Sequence, residues 1–225
     1  MARASELNVR SLVREASRRH CRRPAQAEPL ATKSSTIEVG RLRLALQSQD
    51  RRRILGQNRA SVALILHPVL RDVELLVIRR ATRDGDPWSG HMGLPGGRRD
   101  ESDGEDCQTA VRETREELGF DLESNAELIG TLDEIQASAH GKALDLVIAS
   151  FVFLVGASPS LVLNEEVTEA FWVSLQSLQD GAHSISHEVS FQGQPRLLPA
   201  FNVEGRVIWG ITHRIVSNLL DRLQH

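Results

Sequence analysis

The sequence predicts an α+β domain in which a mixed β-sheet is held between helices as an α/β/α sandwich. Three observations predict it. Short runs of β-branched and aliphatic residues, bounded by Gly, Pro and Asp, recur between residues 61 and 201 and read as strands. Two longer segments, 105–118 and 207–223, carry apolar residues at helical spacing. Strands and helices are interspersed without the regular alternation that a doubly wound parallel sheet requires.

Composition supports a packed domain. Of 225 residues, 40% are hydrophobic and 25% charged, which are ordinary globular proportions. No run of 18 apolar residues occurs, so no membrane-spanning helix is expected. The net charge of −3 argues against a chain built as a whole to bind polyanions. The charge is uneven, however. Residues 1–60 hold 14 Lys and Arg against 5 Asp and Glu, and residues 61–225 hold 13 against 25. We therefore divide the chain into a basic, flexible N-terminal arm over 1–35 and one domain over 36–225. Cys21 and Cys107 are too few for a disulfide framework and read as thiols of a reducing compartment. The N-terminus lacks the apolar core of a secretory leader, so the expected location is cytoplasmic. Arginines over residues 10–23 keep a mitochondrial address as the weaker alternative, with Glu6 and Glu15 against it.

Within the arm, Pro24 and Pro29 punctuate a polar stretch, with a short helix expected near residues 12–19. A second helix is expected over 36–48, with Leu42, Leu44, Ala45 and Leu46 as its apolar positions. Arg51–Arg53 read as a solvated charge run. Residues 61–67 and 74–80, parted by Pro68 and Asp72, read as a strand pair. Residues 81–97 are rich in Gly, Asp and Pro and read as a long loop, of a length that usually carries function. In the 105–118 helix, Cys107, Ala110, Val111, Thr114 and Leu118 form one stripe, and Gly119 supplies the stop. Strands are expected over 126–132, 144–154 and 171–173, the last followed by a helical turn to Leu178. A hairpin is expected around Gly193, from 184–191 to 196–201. The final amphipathic helix, 207–223, places Trp209, Ile215, Leu219 and Leu223 on one side.

Chemistry concentrates in residues 94–120. Glu113, Glu116 and Glu117 lie at i, i+3 and i+4, so three carboxylates share one helix face. They repel unless a cation neutralises them, and carboxylate oxygens suit hard divalent ions such as Mg²⁺ and Mn²⁺. Arg112 precedes Glu116 by four residues and can orient it as an ion pair. Pro95, Gly96 and Gly97 let backbone approach a ligand closely, and a glycine loop ahead of a helix can present N–H donors to phosphate. Together these features point to chemistry on a phosphate ester or diphosphate.

This stretch resembles the Nudix hydrolase signature, G-x5-E-x7-R-E-U-x-E-E-x-G-U, where U is a bulky apolar residue. Gly97, Arg112, Glu113, Glu116, Glu117, Gly119 and Phe120 fill its positions. Asp103 stands where the first glutamate belongs, one residue further from Arg112, with Glu105 as a substitute, and Thr114 replaces the first bulky apolar residue. An Asp with one added residue resembles the coenzyme A pyrophosphatase branch, whose upstream element is LLxxR[SA]x3Rx3Gx3FPGG. Leu75, Leu76, Arg79, Gly90, Pro95, Gly96 and Gly97 match it, with Leu94 in place of Phe. Arg80 sits where Ser or Ala is expected, and Arg83 is a displaced second arginine, with Asp86 in its spaced position. The resemblance covers residues 60–225.

It implies a Nudix-like sheet and hydrolysis of a nucleoside diphosphate derivative with Mg²⁺ or Mn²⁺. The implied catalytic residues are Glu113, Glu116, Glu117 and Arg112, the first three as metal ligands. Arg79, Arg83, Gly96 and Gly97 are the implied substrate contacts. Glu165 and Glu166 are candidates for the base that activates water, exposed loop acids being the other reading. His91 reads as a plain loop histidine ahead of a substrate contact, Trp88 equally as loop packing or a base-stacking ring, and Trp172 and Trp209 as core. The best substrate is coenzyme A or acyl-coenzyme A. The alternatives are a broader diphosphatase, acting on ADP-ribose, nucleotide sugars, dinucleotides or nucleoside triphosphates, and a non-catalytic nucleic-acid-binding module using the basic arm. The intact charged positions speak against the module. The expected partner is a small nucleotide rather than a membrane or nucleic acid, and homodimerisation stays open. Because the arm lies outside the resemblance, removal of residues 1–35 should keep kcat within a few-fold, checked on a truncated chain against the whole one. Loss of both activity and soluble expression would make the arm part of the domain or of a subunit interface.

Overall fold

The computed structural model describes residues 37–47, 51–86, 88–139, 142–191 and 193–224. The expected arm over 1–35, with its short helix, lies outside them.

The first helix, α1 (Val39–Gln47), forms where expected and buries Leu42 and Leu46, while Leu44 points to solvent. The strand pair becomes β1 (Arg59–Val69) and β2 (Asp72–Arg80), antiparallel through Leu66 opposite Leu75. The 81–97 loop is shorter than its composition suggests. It contains β3 (Met92–Gly93), which pairs with β2, and leads into β4 (Gly96–Arg98), which pairs with β1. Gly and Pro pointed away from strands here, yet two short ladders form because neighbouring strands supply the partners.

Helix α2 (Asp106–Leu118) follows, then a single turn α3 (Leu122–Asn125). The Gly119 stop is observed: the residue sits at φ 61° and its N–H bonds to the Arg115 carbonyl. Strands β5 (Ala126–Thr131), β6 (Ile135–Ala139) and β7 (Lys142–Val155) come next. The sequence reading lacked β6, whose polar and apolar residues show no clear run; it forms by pairing antiparallel with β7. Then come β8 (Val167–Ser174), the turn α4 (Leu175–Gln179), and β9 (Ser184–Phe191) with β10 (Gln194–Val203) as the expected hairpin. The last segment divides. Arg206–Trp209 is a strand, β11, and only Gly210–Arg222 is helix, α5, so Trp209 is not a helical residue. Among the described residues, no helix is long and apolar enough to cross a membrane.

Among the described residues, eight strands form a mixed sheet with the path β3-β2-β1-β7-β5, joined by β4, β6 and β8. β1 and β7 run parallel at its centre. A second sheet has the order β11-β10-β9. Successive residues of β1 and β2 point to opposite faces. Ala63, Ile65, Leu76 and Ile78 pack with Ala110 and Leu118 of α2. Leu64, Leu66, Leu75 and Val77 belong to the larger core with Leu42 of α1 and Val216 and Leu219 of α5. Helices thus cover both faces, giving the expected α/β/α sandwich.

Leu42 is fully buried, so Leu42→Ala should cost about 3 kcal/mol. A thermal melt should show Tm lowered by roughly 6–12 °C. An unchanged melt would mean that α1 adds nothing to the domain.

Candidate active site

Helix α2 holds the acidic cluster, and the turns of the helix decide how differently its members are solvated. Glu117 lies on the face turned to the sheet, beside Ala110 and Thr114, and is 1% exposed. Its Oε2 accepts the Gly96 backbone N–H at 2.9 Å. Burial pushes its carboxyl up to about 8, against that bond and the charge of Arg80, and Glu113 and Glu166 add to the rise. Glu113 is also raised by burial, partly offset by Arg112. Glu116 is exposed.

The glycine loop fits this helix with no space to spare. Gly96 has φ 149°, and a Cβ there would lie 2.2 Å from the Ser61 carbonyl oxygen of β1. A Cβ on Gly97 would lie 2.4 Å from Glu113 Oε1. Any side chain at these positions displaces β1 or the carboxylate.

Arg112 is the hub. Its Nη1 donates to Glu113 Oε1 at 2.9 Å and to Glu116 Oε2 at 3.2 Å. Its Nε and Nη2 donate to the two oxygens of Asp103 at 3.1 and 3.0 Å, and Nη2 also reaches the Arg98 carbonyl at 3.1 Å. Asp103 is buried and also accepts from the Thr109 hydroxyl and the Asp100 N–H, both at 2.9 Å. The Arg112 bonds, with these others, hold its carboxyl well below the usual range against the effect of burial. The same bonds raise Arg112. Asp103 therefore reaches the arginine from the loop before α2. Glu105 does not substitute for it: that residue opens the helix, and its N–H donates to Gln108 Oε1 at 3.1 Å. Thr114 is tolerated in an apolar position because its hydroxyl donates to the Ala110 carbonyl at 2.7 Å.

Part of this cluster edges a cleft of about 990 Å³, while Glu117, Arg112 and Asp103 stand behind its lining. Gly96, Gly97, Glu113, Glu116 and Glu166 line it; Arg79 and Arg83 do not. Arg79 is paired with Glu169 at 3.1 Å, and Arg83 donates to Glu166 Oε1 at 3.0 Å. The arginine in the cleft is Arg80, bonded to Asp86 at 2.9 Å. It follows Leu76 and Ile78 on the strand face toward α2, as the period of two requires. A signal for it existed: Arg80 is followed by Ala81, so the branch element read from Arg80 places Ala in its Ser/Ala position. Glu165 and Glu166 separate clearly. Glu165 is 90% exposed, whereas Glu166 borders the cleft. Trp88 and His91 line the cleft as well. So does Trp209, which sequence reasoning assigned to the core.

Among the described residues, no three Asp, Glu, His or Cys side chains are gathered tightly enough to make a ready-made metal cage. The donor chemistry nevertheless fits a hard divalent cation. Glu113 and Glu117 are raised by burial and by neighbouring carboxylates, a condition that a cation relieves. Glu113, Glu116 and Glu117 are the residues that could hold it.

In metal-free protein, Glu117 binds its proton up to about pH 8, whereas an unfolded glutamate releases it near 4.3. The folded state therefore carries the extra proton between those values, and stability falls as pH rises through them. Melts in chelator should show Tm dropping from pH 7 to 8.5, with the drop abolished in Glu117→Gln. The depressed Asp103 titrates far below this window. A flat wild-type profile would place Glu117 in a wetter setting.

The model of the NUDIX domain family matches residues 58–192, more than half of the chain. An uncharacterised Schizosaccharomyces pombe protein is 49% identical over 107 residues, 46% of this chain and 32% of that protein. The uncharacterised Nudix hydrolase NudL of Photorhabdus laumondii is 25% identical over 187 residues, 83% of this chain and 96% of that one. The peroxisomal coenzyme A diphosphatase ndx-8 of Caenorhabditis elegans is 30% identical over 132 residues, 57% of this chain and 54% of that one. The matched segments thus span about a third of the S. pombe protein and about half of the C. elegans one. The family match runs from the start of β1 through the glycine loop and the glutamate helix to the end of β9, and on that basis the chain belongs to the Nudix hydrolase family.

Proposed function

We infer that this chain is a metal-dependent hydrolase that cleaves the diphosphate linkage of a nucleoside diphosphate derivative, with coenzyme A or acyl-coenzyme A as substrate. One observation carries the reading: the buried Glu117 and the half-buried Glu113 stand against the Gly96–Gly97 backbone, beside a cleft large enough for an extended nucleotide. The choice of coenzyme A is supported by the upstream element, by Asp103 with its added residue, and by the name of the C. elegans relative.

Glu113, Glu116 and Glu117 are the residues that would hold Mg²⁺ or Mn²⁺. When bound, such an ion neutralises diphosphate oxygens and acidifies water. The protein's own share is positional. Arg112, anchored by Asp103, orients Glu113 and Glu116. Gly96 and Gly97 let the diphosphate approach the helix. Arg80 contributes positive charge inside the cleft. Glu166 is better placed than Glu165 to take the proton of the attacking water, and Arg83 fixes it. Water oxygen attacks phosphorus, the bridging P–O bond breaks, and 3′,5′-ADP and 4′-phosphopantetheine leave.

Glu117→Gln and Glu116→Gln should lower turnover by orders of magnitude at low Mg²⁺ while the fold persists, because a neutral amide oxygen binds the ion poorly. In the first variant the Gln oxygen can still accept the Gly96 N–H. Full activity in both would remove the metal assignment. The substrate is tested by kcat/KM on coenzyme A, dephospho-coenzyme A, ADP-ribose and NADH, with Mg²⁺ and then Mn²⁺. Coenzyme A should lead. If it trails ADP-ribose or NADH a hundredfold, the broader diphosphatase takes its place.

A further inference from the structure

The sheet β11-β10-β9 ends on an open strand. β9 pairs with β10 along one side, and no strand of the described residues pairs with its other side. Such an edge presents a row of main-chain donors and acceptors that a further strand can complete. Proteins commonly protect edges with proline, lysine, a bulge, shortness or a covering segment. β9 has eight residues, none of them Pro, Lys or Arg, and its register with β10 runs unbroken from Ser184 to Phe191. Ser184, Ile185, Ser186, Glu188 and Ser190 are exposed. Beside them on β10, Leu197 stands opposite Glu188 and is 68% exposed. β8, an edge of the large sheet, differs. Its register with β2 breaks beside Arg79, and Arg206 bonds its Glu169 at 2.7 Å and lies over its Phe171 ring.

We propose that β9 pairs antiparallel with β9 of a second copy of this chain, joining two three-stranded sheets into one across a two-fold axis. The commitment to a second copy comes from the fit of β9 to itself. A two-fold axis normal to the sheet keeps each side chain on its own face, so residues of the same parity stand opposite one another. Two registers keep most of the strand paired. One is centred on Glu188 and sets two carboxylates face to face, which is unfavourable. The other is centred on His187. It sets Ile185 against Val189, Ser184 against Ser190 and Ser186 against Glu188 of the copy, each pairing occurring twice. Apolar meets apolar, hydroxyl meets hydroxyl or carboxylate, and no two carboxylates are opposed. At the axis the two His187 rings meet, each set against Trp209 of its own chain at 5.6 Å between centroids. Val189, Ser190 and Phe191 also line the cleft, so the second copy abuts that side of it. The pairing does not depend on what the cleft hydrolyses. An overlap of residues 184–190 falls short of the roughly 20–30 residues a side of a standard interface, so the dimer is weak and concentration-dependent.

Sedimentation velocity on the full chain, taken up to its solubility limit, should show a monomer–dimer equilibrium. Ser186→Glu opposes two carboxylate pairs in each dimer and should raise the dimer Kd about tenfold. Adding Glu188→Lys to that variant restores opposite charges and should return Kd to within about twofold of the wild type. Both positions are exposed, and circular dichroism confirms the fold of each variant. Amide exchange over residues 184–190 should slow as the wild-type concentration rises. A chain that stays monomeric throughout overturns the proposal. So does a dimer indifferent to Ser186→Glu, or a loss that Glu188→Lys does not repair. Exchange over 184–190 that ignores concentration also overturns it, since another surface, or another segment of the same chain, would then hold the contact.

Discussion

The site depends on a carboxylate that is kept dry. Glu117 sits against the sheet with a single backbone donor, the Gly96 N–H, in place of its lost water. Such burial is unfavourable for a charge and is tolerated only when a proton or a cation accompanies it. Two consequences follow for the surroundings. The chain at residues 96 and 97 must carry no side chain, since β1 fills one direction and Glu113 the other. Helix α2 must also dock closely on β1 and β4, and Ala63, Ala110 and Thr114, all fully buried, permit that approach.

Order in the exposed half of the cluster comes from Arg112. Its five N–H groups meet Asp103, Glu113, Glu116 and a main-chain carbonyl, so one planar side chain fixes three acids. A lysine has neither the fork nor the reach for this arrangement. The extra residue between Asp103 and Arg112 is absorbed in the loop, and the shorter Asp side chain arrives at the same guanidinium.

The far end of α2 is tied down as well. Orphan carbonyls of Leu118 and Glu117 accept the N–H groups of Val162 and Asn164 at 2.8 and 3.0 Å. The Asn164 side chain accepts the Glu166 N–H at 2.8 Å, and the Ala81 N–H bonds to the Glu166 carbonyl at 2.7 Å. The loop that presents Glu166 is thereby registered to the helix that presents Glu113 and Glu117. The two parts share one frame although about fifty residues separate them in sequence.

What the sequence by itself determined was local. The period of 3.6 placed three glutamates on one face of α2, Gly119 ended the helix, and apolar runs marked β1, β2 and β7. Spacing of fixed charges sufficed for the family resemblance. Tertiary structure decided what spacing cannot express. Short ladders β3 and β4 exist because strands from other segments complete their hydrogen bonds, and β6 because β7 folds back on it; no local propensity encodes a partner. Arg80 rather than Arg79 entered the cleft because a strand alternates its side chains and the sheet fixes which face meets α2. Trp209 became a cleft wall because β11 joined β10 before α5 began. Glu116 and Glu117, adjacent in sequence and alike in chemistry, differ because only one of them faces the sheet, and desolvation depends on what packs against a side chain rather than on its place in the chain.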